Sequence, residues 1–343
     1  MINEFYLGSY ALEDQTSIYK YNFDDSRGKF LRTTAIDGIA NPSYLYIHPN
    51  GKIMYSVEEL NPEGRIAVYS LEKEKLKYLY SLPSQGADPC HLALDEQGEF
   101  LFVSNYTSGS LSVFRLDEQG KPVFMSDHKQ HTGRGKEPER QEGPHVHFSK
   151  MIEGILFVCD LGLDCIICYT LDRTSGKIEE CGKIFLPQGS GPRHFAVHER
   201  YKNFLYVICE LTGDVYIYQK KKSDYEMIQK ICSLDDNFRG ENTAAAIKFS
   251  RDGRVLLVSN RGSDSITSFV VQEDGLLEKK NIISSGGSGP RDFEVFGKYL
   301  IIANQYSGNL AVIEYSEESG KLKLLASREK VDQPVMLCPI IKL

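Results

Sequence analysis

Ionisable side chains recur at matching points of a repeated pattern along this chain. Several apolar segments are led by a proline, and soon after it come His91, His145, His147, Arg193, His194 and Arg291. A second set follows the next apolar segment of each repeat, namely Glu58, Asn105, Asp160, Glu210, Arg261 and Gln305. Arginine holds anionic groups through planar N–H donors, and histidine or glutamate can take a proton. This combination indicates chemistry on a small anionic molecule.

Short β-strands are the elements that must position these residues. The pattern starts again at Pro42, Pro89, Pro144, Pro192, Thr243 and Pro290. Each repeat has a first strand, a glycine turn, a second strand that is nearly all apolar, an alternating third strand and a variable fourth. Continuous apolar runs are typical of strands buried on both faces. Four strands in each repeat predict an all-β fold built from propeller blades.

The two ends of the chain complete one blade. Residues 5–10 match a second strand and residues 17–23 a third, so the first blade lacks its first strand. The segment 334–338 has the sequence of that missing strand. The sequence therefore predicts a single seven-bladed β-propeller domain over residues 1–343. Its blades are four-stranded and antiparallel, and the C-terminal strand closes the first blade so that no open sheet edge remains.

The antiparallel return of the second strand brings the two sets of ionisable residues to the same end of each blade. We expect them to meet at one mouth of the central channel, and convergent polar groups at a concave opening predict a ligand site. Structural alternatives exist for single members. His91 or His194 can hydrogen-bond to a neighbouring loop, Arg193 with Glu210 can form a structural ion pair, and Asn105 can shape a turn.

A long charged connection spans residues 127–143. Long connections within compact folds are often functional, so we expect this one to form a rim over the site, with Arg140 and Gln141 pointing inward. The alternative is a disordered surface excursion.

Composition excludes several classes of function. The chain has 40 basic and 47 acidic residues, a net charge of −7, which argues against nucleic-acid binding. No apolar stretch is long enough to span a membrane, and no signal peptide is recognised, so we expect a cytoplasmic protein with its cysteines as thiols. Cys165 and Cys168, three apart on a strand, point to opposite faces and are expected to pack in the core.

The sequence predicts no metal and no cofactor. The alternative is that His145 and His147 form half of a zinc site, but no third ligand is evident in the sequence. We expect a monomer or a weak homodimer.

Several stretches together resemble one known family. They are the segment 131–147, which contains Arg-Gln-x-x-Pro-His-x-His, the segments 160–164, 191–194, 259–262 and 289–293, and the pair Asn105-Tyr106. The likeness extends over essentially the whole chain. It is to the seven-bladed propeller lactonase family, which contains the propeller-type 6-phosphogluconolactonases and the fungal carboxymuconate-lactonizing enzymes.

The resemblance implies a set of catalytic residues, namely His145 or His147, Arg193, Glu210 and Arg261. Substrate binding is predicted for the residues around them, which are His91, Asn105, Tyr106, Arg140, Gln141, Asp160, His194, Arg291 and Gln305. We assign Arg193 to the developing oxyanion, and Arg261 with Arg291 to a phosphate, with the exchange of these assignments as the alternative. The general base is His145, His147 or Glu210.

The resemblance also implies a reaction, the hydrolysis of 6-phospho-D-glucono-1,5-lactone to 6-phosphogluconate in the pentose phosphate pathway. One alternative is lactonizing or cycloisomerase chemistry on an unsaturated dicarboxylate, with the same arginines on its carboxylates. Another is a non-catalytic scaffold for protein partners. Exposed apolar anchors at the mouth would favour the scaffold.

Overall fold

The computed structural model describes residues 2–72, 75–222 and 224–340. Within those residues it contains 28 strands and no helix. The strands form seven four-stranded sheets. The predicted all-β fold with seven four-stranded blades is therefore confirmed. Among the described residues there is no helix with the length and hydropathy of a membrane span.

The strands follow one another in chain order, and neighbouring strands of a sheet pair antiparallel. The first two groups are β1 (Ile2–Ser9), β2 (Thr16–Asp24), β3 (Lys29–Asp37), and β4 (Leu45–Ile47), β5 (Ile53–Glu58), β6 (Arg65–Glu72), β7 (Lys75–Pro83). The next two are β8 (Pro89–Leu94), β9 (Phe100–Asn105), β10 (Ser110–Leu116), β11 (Pro122–Gln130), and β12 (Val146–Ile152), β13 (Ile155–Asp160), β14 (Cys165–Asp172), β15 (Lys177–Phe185). Then come β16 (Pro192–Val197), β17 (Phe204–Cys209), β18 (Asp214–Lys221), β19 (Asp224–Cys232), and β20 (Thr243–Phe249), β21 (Val255–Arg261), β22 (Ser265–Val271), β23 (Leu277–Ser284). The last are β24 (Pro290–Phe296), β25 (Tyr299–Asn304), β26 (Asn309–Tyr315), β27 (Leu322–Lys330) and β28 (Pro334–Pro339).

The C-terminal strand completes the first sheet, as predicted. The strand order of that sheet is β28-β1-β2-β3, and Leu7 of β1 lies opposite Leu337 of β28. The Leu337 N–H also donates to Asp292 Oδ2 on β24 at 3.0 Å. Asp292 in turn forms an ion pair with Lys248 Nζ at 3.0 Å. The last strand is therefore held both by its own sheet and by the neighbouring first strand of the seventh sheet.

By its internal contacts the described chain divides into two compact units. One comprises residues 2–9, 20–34 and 192–339, and the other comprises residues 10–19, 35–191 and 340. Within each unit, apolar side chains pack between successive sheets, such as Phe102 with Val158 and Tyr206 with Val258. The expectation of one domain over the whole chain stays a prediction.

The predicted cysteine pair lies in the core. Cys165 and Cys168 are both buried on β14, and Cys165 belongs to the apolar cluster between the third and fourth sheets. Burial raises the pKa of the Cys165 thiol to about 12. The packing role expected from the sequence is confirmed.

A β-bulge recurs near the start of the first strand of the sheets. The pairing register shifts once in β8, β12, β16 and β24, and the extra residues are Cys90, His147, Arg193 and Arg291. A bulge leaves one residue unpaired and changes the direction of its side chain, which is why bulges are common beside active sites. We call this place the bulge position.

The residue just before the first strand is also a repeated position. Asp88 and Gly289 there have φ values of 51° and 71°, and Asn41, which precedes Pro42 and lies further ahead of β4, has a φ of 47°. Each accepts a backbone hydrogen bond from the residue that follows the second strand. His145 accepts the same bond, from Leu161 at 2.9 Å, so it occupies the place before the strand. The strand pairing begins at Val146 and not at Pro144, so His145 does not share the position of Cys90 and Arg193, although each of the three directly follows a leading proline.

The residues after the second strand also separate into two adjacent positions. Asn105 and Asp160 are the last paired residues of their strands, and Asn304 is their equivalent in the seventh sheet. Glu210 and Gln305 lie one residue further along the chain. Successive residues of a strand point to opposite faces. These are two positions, and not the single one that the sequence predicts.

Candidate active site

Two clusters of the predicted residues are found, each within one compact unit. The histidine cluster comprises Tyr106, Arg140, Glu142, His145 and His147. The arginine cluster comprises Arg193, His194, Glu210 and Arg261. The expectation that both clusters share one mouth stays a prediction.

The histidine cluster is organised around Tyr106. The His145 ring stacks on the Tyr106 ring with centroids 4.5 Å apart, and the His147 ring meets its edge at 5.6 Å. Arg140 Nη2 donates to Tyr106 Oη at 3.4 Å. Both histidines are buried, at 6% and 5% exposure. The predicted grouping of His145, His147, Tyr106 and Arg140 is therefore found in the structure.

The hydrogen bonds of His145 determine which of its nitrogens can act as a base. Nδ1 lies 3.1 Å from the Tyr106 carbonyl oxygen. A carbonyl oxygen only accepts, so Nδ1 carries the proton in the neutral ring. In the neutral ring Nε2 then holds the lone pair, which is the form a general base requires, and the 3.3 Å contact of Nε2 with Glu142 Oε1 belongs to the protonated ring, in which Nε2 donates.

Glu142 lies beside that basic nitrogen. Its Oε1 is 3.3 Å from His145 Nε2, and its side chain is 61% exposed. Its own backbone N–H and the nearby His145 ring lower the pKa of the Glu142 carboxyl below its usual value. A carboxylate at this distance favours the imidazolium that forms once Nε2 has taken a proton.

The arginine cluster is an ion triad. Arg193 Nε and Arg261 Nη2 lie 3.0 Å and 2.9 Å from the same oxygen, Oε2 of Glu210. Arg193 also donates to the Ala245 carbonyl at 2.8 Å and to His194 Nε2 at 3.3 Å. The three charged residues of the triad are all at most 8% exposed.

The triad can supply fixed positive charge. Two guanidiniums against one carboxylate leave the cluster net positive, and their shared partner limits the rotation of both cations. Buried ions persist when they are paired and hydrogen-bonded, and a preorganised guanidinium stabilises charge that develops on a substrate oxygen. The arrangement of Arg193, Glu210 and Arg261 is suited to an anionic ligand.

The long connection is ordered and shorter than predicted. Strand β11 extends to Gln130, so the connection covers residues 131–145. Gln141 holds it together, because Oε1 accepts the N–H groups of Lys136 and Glu137, and Nε2 donates to the Leu161 carbonyl and to Asp164. The connection packs closely, since a Cβ on Gly162 would lie 1.9 Å from the Gly143 carbonyl oxygen. The disordered alternative is wrong.

Gln141→Ala is expected to open this connection. The variant loses four hydrogen bonds whose partners lie in the connection and after β13, and unpaired buried groups cost about 1–3 kcal/mol. The exposed Arg134 and Lys136 should then be cleaved rapidly by trypsin. The measurement is digestion of the native protein followed by gel analysis of the fragments. Glu139→Ala, an exposed neighbour, serves as the control. Equal cleavage rates for both variants and the parent would show that Gln141 does not hold the connection.

Three residues predicted to bind substrate have structural contacts in place of an open face. The His91 ring is 3% exposed between the Tyr44 and Phe148 rings, with centroids 4.3 Å and 4.4 Å away. Asn105 is fully buried and donates to Ser110 Oγ at 3.2 Å. Gln141 serves the connection, as described above. These contacts give the three residues structural roles, and their binding of substrate stays a prediction.

Asp160 has protein partners as well. Its carboxylate is fully buried and accepts the His145 backbone N–H at 2.8 Å and the Leu163 N–H at 3.1 Å. It contacts His131 Nδ1 at 2.6 Å. Both carboxylate oxygens therefore have protein partners, and its binding of substrate stays a prediction.

Arg291 and Gln305, in the unit that contains the arginine cluster, occupy the expected repeat positions. Arg291 is half-buried at the bulge position of β24, equivalent to Arg193. Gln305 is 8% exposed, and its Oε1 has no hydrogen-bond partner among the described residues. That they bind substrate stays a prediction.

The sequence analysis missed three polar residues. Glu59 occupies the place of Glu210 in the second sheet, where it accepts from Tyr10 Oη at 2.8 Å and from Ser43 Oγ. Glu142 and His131 also lacked a role.

Comparisons with known proteins agree with this fold. A family model described as Lactonase, 7-bladed beta-propeller matches residues 4–339. The chain is 33% identical over 340 residues to the 6-phosphogluconolactonase of Bacillus subtilis, with 96% of each chain covered. It is similar to a solved protein of Lactobacillus plantarum, with a TM-score of 0.91, 27% identity and 99% of each chain covered.

A further solved structure is the periplasmic gluconolactonase of Pseudomonas aeruginosa, with a TM-score of 0.91, 25% identity and 99% of each chain covered. The family match spans nearly the whole chain, and the sheets it requires are all present. This chain therefore belongs to the seven-bladed β-propeller lactonase family.

Proposed function

We propose that this lactone hydrolase opens a sugar-phosphate lactone, namely 6-phospho-D-glucono-1,5-lactone, to give 6-phosphogluconate. Membership of the lactonase family supports the reaction class, and the name of the similar Bacillus subtilis protein supports the substrate. The observation that carries the proposal is the hydrogen bond from His145 Nδ1 to the Tyr106 carbonyl, because it leaves Nε2 as a base.

In this mechanism His145 activates water. Nε2 takes a proton from the water as its oxygen attacks the lactone carbonyl carbon, and Glu142 stabilises the resulting imidazolium. The tetrahedral intermediate then expels the ring oxygen, which takes a proton from the imidazolium and becomes a hydroxyl. The products are a free acid and a neutral histidine, so the enzyme is regenerated.

The arginine cluster supplies the charge stabilisation. Arg193 stabilises the oxyanion of the tetrahedral intermediate, and Arg261 with Arg291 binds the phosphate. Glu210 holds the two guanidiniums of the triad in place through Oε2. Tyr106, Arg140, His194 and Gln305 complete substrate binding in this proposal, and His147 packs against Tyr106.

The direct test uses freshly generated 6-phosphogluconolactone and follows its hydrolysis with and without the purified protein. The lactone opens slowly by itself, so the rate must be measured above that background. We expect acceleration that saturates with substrate, and weaker binding of the unphosphorylated gluconolactone because it lacks the phosphate. Lack of any acceleration with either lactone would refute the proposal.

We further propose a cytoplasmic protein that acts on a small molecule. The free thiols of Cys165 and Cys181 are typical of a reducing compartment. Fractionation of cells followed by immunodetection tests this location.

A further inference from the structure

A buried chain of three polar side chains lies behind His145. Tyr169 Oη is 2.9 Å from His131 Nε2, and His131 Nδ1 is 2.6 Å from Asp160 Oδ2. The other oxygen of Asp160 accepts the His145 N–H at 2.8 Å. All three side chains belong to residues that are at most 5% exposed. Nothing in the mechanism above uses Tyr169 or His131.

The same place in other sheets holds a simpler pair. Asn105 Nδ2, Asn260 Nδ2 and Asn304 Nδ2 donate to the carbonyls of Ser84, Ser233 and Ser285, at 3.5, 3.4 and 3.2 Å. These serines directly follow the outer strands β7, β19 and β23, as His131 follows β11. In the fourth sheet this place therefore holds Asp160 with His131, where the three sheets above hold an asparagine with a serine.

The replacement changes what the side chain holds. Oδ1 of Asn105 and Oδ1 of Asn304 have no hydrogen-bond partner among the described residues. Oδ1 of Asp160 accepts the N–H groups of both His145 and Leu163. The residue before the first strand also differs, because Asp88 has a positive φ of 51° whereas His145 is not among the residues with positive φ. The backbone at His145 thus differs from the backbone at Asp88, and Asp160 is bonded to it.

We propose that Asp160, His131 and Tyr169 form a positioning network that fixes His145 for proton transfer, an inference that rests on the proposed function. Asp160 sets the backbone of His145, His131 prevents rotation of the carboxylate, and Tyr169 prevents rotation of the His131 ring.

The hydrogen-bond chemistry of the network is self-consistent. Burial raises the pKa of the Tyr169 hydroxyl, so it stays protonated and donates to His131 Nε2. His131 Nδ1 then carries a proton and donates to Asp160. The carboxylate receives three N–H donors, and hydrogen bonds to an ionised acceptor are about twice as strong as neutral ones. Such a network defines one position for the His145 backbone, while Tyr106 defines the ring.

The decisive variant is the double substitution His131→Ser/Asp160→Asn. It introduces the serine and asparagine found in the third, sixth and seventh sheets, so the fold should tolerate it. A structural role alone would then leave catalysis intact. We expect kcat to fall about 10–100-fold, the loss typical of a misplaced catalytic group, with KM within about threefold of the parent. Hydrogen exchange of the peptide that spans residues 141–148 should become faster.

Two substitutions of His131, one that keeps an N–H donor and one that removes it, test the role of this residue. Asparagine at 131 offers Nδ2–H near the place of His131 Nδ1, so His131→Asn should retain most of the parental kcat. His131→Leu removes the donor, and its kcat should fall about tenfold or more. Asn304→Ala, the matched control in the seventh sheet, loses a hydrogen bond of the same kind and should change stability without changing kcat or exchange at residues 141–148.

Parental kcat in the double variant, or equal kcat in His131→Asn and His131→Leu, would overturn the network. Failure of the proposed function is a separate result. If the parent protein hydrolyses neither lactone, the proposed function is wrong, and the exchange measurement still decides whether Asp160 holds His145. Unchanged exchange at residues 141–148 in the double variant would refute the network in that case.

Discussion

His145→Ala is expected to lower kcat for 6-phosphogluconolactone hydrolysis by about 10²–10⁴-fold, the usual loss when a general base is removed. The reason is that Nε2 is the basic nitrogen, since Nδ1 is committed to the Tyr106 carbonyl at 3.1 Å. KM should change little, because the proton moves only in the transition state. Initial rates corrected for spontaneous hydrolysis give both constants.

The arginine cluster should respond differently. Arg261→Ala is expected chiefly to raise KM, since a phosphate anchor contributes to the ground state and the transition state alike. Glu210→Gln should lower kcat, because both guanidiniums lose the anionic oxygen that positions them. His128→Ala provides a control, since this half-buried histidine on β11 belongs to neither cluster and should leave both constants near the parental values.

Parental kcat in the His145, Glu210 and Arg193 variants together would place the chemistry elsewhere in the molecule. The non-catalytic scaffold would then become the favoured alternative.

The fold could be predicted from the sequence because each repeat carries its own signals. The apolar run 100–103 becomes the buried strand β9, and the segment 334–338 becomes β28 paired with β1. Burial on both faces permits few polar residues, so the second strand is easy to recognise in every repeat. Seven such strands determine the number of sheets.

The site could be predicted only to within one or two residues in each repeat. A leading proline does not mark the start of pairing, since β12 begins at Val146 although its proline is Pro144. This offset put His145 at the bulge position, which belongs to His147. On a strand such an error exchanges the two faces, and for that reason Asn105 was predicted to bind substrate although it is fully buried.

The contact partners of individual side chains could not be predicted from the sequence. His131 and Asp160 are 29 residues apart, and only the packing of two sheets brings them to 2.6 Å. Residue types narrow the chemistry, but a histidine near the start of a repeat gives no sign of whether it faces a ligand, as proposed for His145, or an aromatic pair, as His91 does.

Deletion of residues 333–343 is expected to destabilise the protein severely. The deletion removes β28, whose residues Pro334 to Cys338 are all buried. Burying Val335, Met336 and Leu337 alone stabilises the fold by about 5–9 kcal/mol, at about 1.5–3 kcal/mol for each side chain. Domains have a total stability of about 5–15 kcal/mol. The truncated chain should lose its cooperative thermal transition or have a Tm at least about 10 °C lower.

Leu337→Ala gives a milder form of the same test, because the truncated chain could fail to fold for other reasons. Leu337 is fully buried, and such a truncation costs about 2–5 kcal/mol. Leu31→Ala is the matched control, since Leu31 lies on β3 of the same sheet but is 64% exposed, and the Tm of this variant should stay near the parental value.

In the truncated protein, β1 would present an unpaired edge, which favours aggregation as well as unfolding. A truncated protein that melts within about two degrees of the parent would mean that the first sheet is stable without its C-terminal strand, and the closure described here would be wrong.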